Sequence, residues 1–112
     1  MIEQRDLLLV PFPFSDQSGK KVRPVIVISN NDFNKFSEDI LAVGVTTNIS
    51  KDKYTISLTN NDLEIGTLIT ACCIKAENLL KIDKELIIKK IGKIKSEKFN
   101  LIIDKIIEII KQ

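Results

Sequence analysis

Short apolar runs separated by polar breaks dominate the chain. Leu7-Leu8-Leu9-Val10-Pro11-Phe12-Pro13-Phe14 is too short for a helix and carries two prolines, which predicts a strand ending in an extended edge. Ser15 to Lys21 has turn composition and is expected to form an exposed loop. Arg23-Pro24-Val25-Ile26-Val27-Ile28-Ser29 is a β-branched run, the pattern of a buried strand. Asn30-Asn31-Asp32 is a capping cluster and predicts one helical turn over Phe33 to Ser37. Asp39 to Asn48 is again strand-like, and Lys53 to Leu58 alternates, with Tyr54, Ile56 and Leu58 on one side of a half-buried antiparallel strand. Asn60-Asn61-Asp62 reads as a turn, and Gly66 as the opening of a strand from Thr67 to Lys75. Between Lys81 and Ile94 both periods mix, with a short strand placed near Ile87 to Lys90. Ser96 is an N-cap candidate followed by Glu97. Phe99, Ile102, Ile103, Ile106, Ile107 and Ile110 then recur at helical spacing, predicting an amphipathic helix of about four turns. A run of strands closed by one helix predicts an α+β fold built on a small, barrel-like antiparallel sheet.

Composition narrows the chemistry. At 112 residues the chain has room for one domain, expected to span 1–112, and its twenty isoleucines supply ample surface to bury. It contains no histidine, which excludes Ser-His-Asp and Cys-His triads and any His-ligated zinc or haem site. Seventeen basic against fifteen acidic residues leave a net charge of +2, too small to argue for nucleic acid. The six lysines between Lys84 and Lys98 read as a solvated face. Cys72 and Cys73 are adjacent; neighbours on a strand point to opposite faces, so one thiol is expected in the core and one outside, with no disulfide and no shared metal. Reduced cysteines, a charged N-terminus without a signal-peptide pattern and no apolar run near the roughly 20 residues of a membrane span predict a soluble cytoplasmic protein.

Three polar groups stand at strand ends. Arg23 meets the polar loop and is followed by Pro24, which biases it toward extended backbone. Its planar fork of donors suits a phosphate, or equally a neighbouring carboxylate. Thr46-Thr47-Asn48 closes an apolar strand, as phosphate or base contacts or as a polar exit. Lys75-Ala76-Glu77-Asn78 is read as another strand end, with charge and amide groups that suit either bases or a turn. A catalytic thiolate is disfavoured, because no histidine is present to activate it.

Taken in order, these segments resemble the PemK/MazF growth-inhibitor toxins. The resemblance rests on Asp6 to Asp16, on Arg23-Pro24 with Val25 to Asn30, on Val43-Gly44-Val45-Thr46-Thr47-Asn48-Ile49, on Ile74 to Asp83, and on Ile91-Gly92-Lys93-Ile94 before the final helix. It implies an SH3-like antiparallel β-barrel with a C-terminal helix, acting as a homodimer and as a metal-independent endoribonuclease on single-stranded RNA without a cofactor. Arg23 matches the family's catalytic arginine and Thr46 its catalytic threonine. The RNA-binding set implied is Lys20, Lys21, Thr47, Asn48, Lys75, Glu77 and Asn78. The expected partners are single-stranded RNA and an antitoxin with a disordered acidic tail; no membrane is expected. Two positions depart from the family's pattern: Arg5 stands where a glycine is usual, and Asp16-Gln17 lies farther from the Arg-Pro pair, which argues against Asp16 as a base. Two other readings share this fold: an inactive relative that only binds RNA or protein, and a gyrase poison. The ending Glu108-Ile109-Ile110-Lys111-Gln112 lacks the aromatic and glycine residues of the latter.

Overall fold

Alternate residues of the apolar runs are sent to opposite sides of one antiparallel sheet, and this sorting builds the protein. The structure, a computed structural model, describes residues 1–12 and 21–111. Among the described residues seven strands, β1 (Asp6–Phe12), β2 (Lys21–Val27), β3 (Asp39–Thr46), β4 (Thr55–Leu58), β5 (Leu63–Gly66), β6 (Cys72–Asp83) and β7 (Lys89–Ile94), lie in the order β4-β6-β3-β2-β1-β7-β5. Two helices accompany them, α1 (Asn31–Phe36) and α2 (Ser96–Ile110). Leu7, Ile26, Val43, Ile56, Leu58 and Ile74 face one side and pack with Phe99, Ile102 and Ile106 of α2. Their neighbours Leu8, Val25, Val27 and Ala42 face the other side, with Val10, Ile40 and Ile82, and are covered by Ile2, Leu80, Leu86 and Ile87. Both faces are therefore buried, which is why the strands read as unbroken apolar runs.

Several predicted elements hold. Asn30 caps α1 by accepting from Phe33 N–H at 2.8 Å, and buried Asn34 donates from Nδ2 to Ser29 O at 2.9 Å, tying the short helix to the end of β2. Others shift. Lys21 belongs to β2, paired with Phe12, rather than to the loop; the rest of that loop, with Lys20 and Asp16, lies outside the described residues. Gly66 closes a strand instead of opening one: β5 pairs with β7, and 67–71 is not strand. Gly66 has φ +93°, and a Cβ there would sit 2.3 Å from Ile91 O, so the backbone approach to β7 requires glycine. The strand near Ile87 begins later, at Lys89, after a 3₁₀ turn over Lys84–Leu86. Helix α2 is capped by Lys95 without a side-chain bond, and Ser96 is its first residue. Phe99, Ile102 and Ile106 are buried, whereas Ile107 and Ile110 are exposed, because one stripe of the helix is enough to cover β6. Among the described residues no helix is long and apolar enough to cross a membrane.

Arg5 adopts the left-handed backbone, φ +79°, at the position where a glycine is usual in the resemblance drawn above. For a non-glycine residue this costs about 1–2 kcal/mol, and the side chain offsets it. Arg5 Nη1 donates to Ile94 O at 2.9 Å and pairs with Glu64 at 3.1 Å, while the backbone bonds to Val27 O and Ile94 N. One residue thus joins the start of β1 to β2, β5 and β7.

Ile102 is fully buried between helix and sheet. Ile102→Ala should lower the unfolding free energy by about 2–5 kcal/mol in urea titration; a loss under about 1 kcal/mol would mean that the helix is not part of the cooperative core.

Candidate nucleic-acid interface

The site forms where β2 and β3 part. Their pairing ends at Val25 opposite Gly44, and the same register carried two residues farther sets Arg23 against Thr46. Pro24, with no N–H to continue a ladder, stands at the parting point. Arg23 and Thr46 lie on the strand face of Val25 and Ala42, so the apolar cluster on that side ends in polar groups.

Two clefts meet at Arg23. One, of about 140 Å³, is lined by Phe12, Pro24, Val25, Gly44, Val45, Thr46, Lys75, Asn78 and Leu80 as well as Arg23. The other, about 530 Å³, is lined by Lys21, Val22, Arg23, Pro24, Val45, Thr47 and Asn48. The fold therefore gathers seven of the expected functional residues, Lys21, Arg23, Thr46, Thr47, Asn48, Lys75 and Asn78, around one strand split. Glu77 is exposed and lines neither cleft, and Lys20 lies outside the described residues.

Arg23 is half-buried, and its guanidinium carbon lies 5.2 Å from the centroid of the Phe12 ring. Among the described residues it forms no ion pair. Of the two readings open from the sequence, pairing with a carboxylate is not what these residues do; the ring orients the cation without neutralising it. Thr46 Oγ1 accepts from Asn48 N–H at 3.1 Å, a local turn that holds the chain as it leaves β3.

Lys75 is engaged differently. Its Nζ donates to Ser50 Oγ at 2.9 Å, Asp52 Oδ2 at 3.0 Å and Thr55 Oγ1 at 3.2 Å. The hydrogen bond from Lys75, and then its charge, hold the Asp52 carboxyl below the usual carboxylate range. The hydrogen bond that Lys75 donates to Asp52 raises the lysine above its ordinary value, so both groups are charged at neutral pH. The pair weakens only as pH falls through the lowered carboxyl value or rises through the raised ammonium value.

Lys75-Ala76-Glu77-Asn78 is not a strand end but the middle of the twelve-residue β6. Gly44 pairs with Lys75 and Val43 with Leu79, so Ala76, Glu77 and Asn78 form an irregularity that a local pattern reads as a break. The Asn78 side chain fills the space over Gly44, where a Cβ would lie 2.2 Å from Asn78 Nδ2. The cysteines also depart from expectation. Both are buried: Cys72 in the core under α2, where burial pushes its thiol pKa up, and Cys73 beneath the 47–54 loop, its Sγ 3.8 Å from Ser50 O. They do point to opposite faces, but the loop covers the second one. Phe12 and Gly44 were missing from the sequence-derived site. Phe12 follows Leu8 and Val10 at period two, which marks its face; Gly44 carries no local signal of what lies over it.

A family model of PemK-like, MazF-like toxins of type II toxin–antitoxin systems matches residues 3–110. The chain belongs to this toxin family. Solved structures with a similar fold include an endoribonuclease in complex with its cognate antitoxin from a mycobacterial species, 16% identical with a TM-score of 0.79 over 98% of this chain and 95% of that one. The toxin MazF-mt6 of Mycobacterium tuberculosis is 12% identical, with a TM-score of 0.76 over 93% and 94% of the two chains. MazF from Deinococcus radiodurans is 14% identical, with a TM-score of 0.79 over 99% and 97%. At these identities the likeness is one of fold. No curated protein sequence matches the chain. The curled antiparallel sheet with a C-terminal helix is thus a PemK/MazF-like toxin fold, as the sequence resemblance implied.

In this toxin-family chain the contact between Gly44 and Asn78 is open to a direct check. Gly44→Ala should displace the Asn78 side-chain NH₂ resonances in a ¹⁵N correlation spectrum while costing about 1 kcal/mol of stability or less, since a flexible amide gives way. Unmoved Asn78 resonances would mean that the amide does not lie over Gly44.

Proposed function

We propose that the chain, acting as one domain, is a metal-independent endoribonuclease toxin that cuts single-stranded RNA. The observation that carries this reading is Arg23: a guanidinium without a carboxylate partner among the described residues, oriented by Phe12 and lining both clefts, with Thr46 beside it in the smaller one. In the proposed reaction the 2′-oxygen of one nucleotide attacks the adjacent phosphorus as its proton passes to solvent water. The bond from phosphorus to the 5′-oxygen breaks, and that oxygen takes up a proton. The products are a 2′,3′-cyclic phosphate and a 5′-hydroxyl. No water nucleophile is needed, which suits a chain without histidine. Arg23 stabilises the extra charge on the pentacoordinate phosphate, an effect worth about 3–4 kcal/mol for one well-aimed donor. Thr46 hydrogen-bonds the phosphate and keeps it in register with Arg23. An arginine is a weak proton donor at neutral pH, so slow turnover follows. Lys21, Thr47, Asn48 and Asn78 contact the RNA on either side of the cut, the amides reading base edges.

The partners follow from the same surface. A second copy extends the RNA groove, and isologous pairing is the commonest oligomer symmetry. In the cytoplasm an antitoxin with an acidic, disordered tail competes with RNA for Lys21 and Arg23. The mycobacterial endoribonuclease solved with its cognate antitoxin, and the MazE–MazF complex of Deinococcus radiodurans, support an antitoxin partner here.

Purified protein incubated with a long RNA in EDTA should give 2′,3′-cyclic phosphate or its hydrolysis product and 5′-hydroxyl ends. Loss of all cutting in EDTA, or 5′-phosphate ends, would reject the mechanism. Arg23→Lys keeps the charge but loses the planar fork, and should slow cleavage by about tenfold or more with folding intact. Thr46→Val should give a similar or smaller loss. Wild-type rates in both variants would place the site elsewhere, and absence of any RNA cleavage by the unmodified chain would favour a binding-only relative.

A further inference from the structure

An ammonium has three N–H donors, and all three of Lys75 are used. Their acceptors, Ser50 Oγ, Asp52 Oδ2 and Thr55 Oγ1, lie at 2.9, 3.0 and 3.2 Å; the first two belong to the stretch that joins β3 to β4, and Thr55 opens β4 opposite Lys75. Lys75 has no donor left for a phosphate unless this stretch lets go. The Lys75 side chain is 24% exposed, against 70% for Asp52, so the lysine forms the floor and the carboxylate the outer side of the contact. Other bonds fold the loop onto the same point. Ser50 Oγ donates to Asp52 Oδ2 at 3.3 Å, Thr55 N–H to Asp52 O at 3.1 Å, and Ala76 N–H to Tyr54 O at 3.1 Å. Under the loop lies Cys73, opposite Thr46 in register and buried, with its thiol 3.8 Å from Ser50 O. At its start stand Thr47 and Asn48, which line the larger cleft with Arg23.

We propose that Lys75 is a positioning residue and not a phosphate ligand: it clasps the 47–54 loop through Ser50 and Asp52, with Thr55 of β4 taking its third donor, and so holds Thr47 and Asn48 against Arg23. Asp52 is its main partner and acts on the cleft only through the loop. The inference rests on the ribonuclease reading for what the loop touches, but the clasp itself is independent of it.

Cys73 provides a reporter that needs no RNA. Iodoacetamide labelling, with the two adjacent cysteines resolved by fragment-ion mass spectrometry, should rise about fivefold at Cys73 in Lys75→Met and in Asp52→Ala, the scale of one exposed ion pair. Cys72, under α2, should stay protected. If Lys75→Met exposes Cys72 as well, it has unfolded, and Asp52→Ala, altered at an exposed side chain, decides alone. Wild-type protection of Cys73 in Asp52→Ala would overturn the clasp.

Binding is then measured with a single-stranded RNA blocked against cleavage by 2′-O-methyl groups. Asp52→Ala should weaken it about fivefold. Lys75→Met should keep the wild-type slope of log affinity against log salt, whereas loss of a phosphate contact would reduce that slope by about 0.7. The exchanged pair Asp52→Lys with Lys75→Glu should recover both Cys73 protection and affinity; recovery of neither, or the reduced slope, overturns the assignment. If the unmodified protein does not bind the RNA, the ribonuclease reading fails, while the labelling result still decides the clasp.

Discussion

Both faces of a single sheet must be covered, and the site is a consequence of how that is done. Leu7 and Leu8, Val25 and Ile26, and Ala42 and Val43 are neighbours that enter different clusters, one roofed by α2 and one by the chain around Ile2, Leu86 and Ile87. Removing apolar surface from water on two sides of the same strands is the dominant favourable term, and it leaves β1, β2 and β3 no freedom to slip, since a shift of one residue would exchange the two faces. Polar groups that meet solvent appear where the strands run past their cover, whereas the buried Asp6 of β1 is paired with Lys90. Arg23, Thr46 and Asn78 stand at that limit.

The parting of β2 from β3 is the second element of the arrangement. Strands that stay paired have no room for a guanidinium between them; strands that diverge after Val25 and Gly44 open two clefts with Arg23 on their common wall. Phe12, paired with Lys21 across β1 and β2, brings an aromatic face under the cation. A ring orients an arginine while leaving its charge for an anion, which a carboxylate partner would not do. Packing and electrostatics thus act on the same side chain.

The two central cations behave in opposite ways. Arg23 is oriented but not neutralised among the described residues, whereas Lys75 is fully hydrogen-bonded and charge-paired. Donors left free among the described residues suit a group that meets substrate; donors all in use suit a group that shapes the wall. The difference rests on the loop after β3, which folds back far enough to reach Lys75 and in doing so covers Cys73.

The sequence by itself determined the elements whose signal is local. Apolar runs marked β1, β2 and β3, Asn30 marked the cap of α1, helical spacing marked α2, and the ordered motifs carried the family and put Thr46 at a strand end; Arg23, read as a strand start, is the third residue of β2 and pairs with Val10. Phe12 was visible as a face but not as a partner of Arg23. Tertiary structure decided what depends on distant residues. Strand β5 exists because Gly66 allows close approach to β7, and β6 continues through Ala76, Glu77 and Asn78 because β3 accepts an irregular register beside Gly44. Both cysteines are buried because a loop more than twenty residues earlier covers the second, and Lys75 is engaged by Ser50, 25 residues away. Side-chain period records which way a residue points; only the folded chain decides what waits there, because that contact is made by atoms remote in sequence.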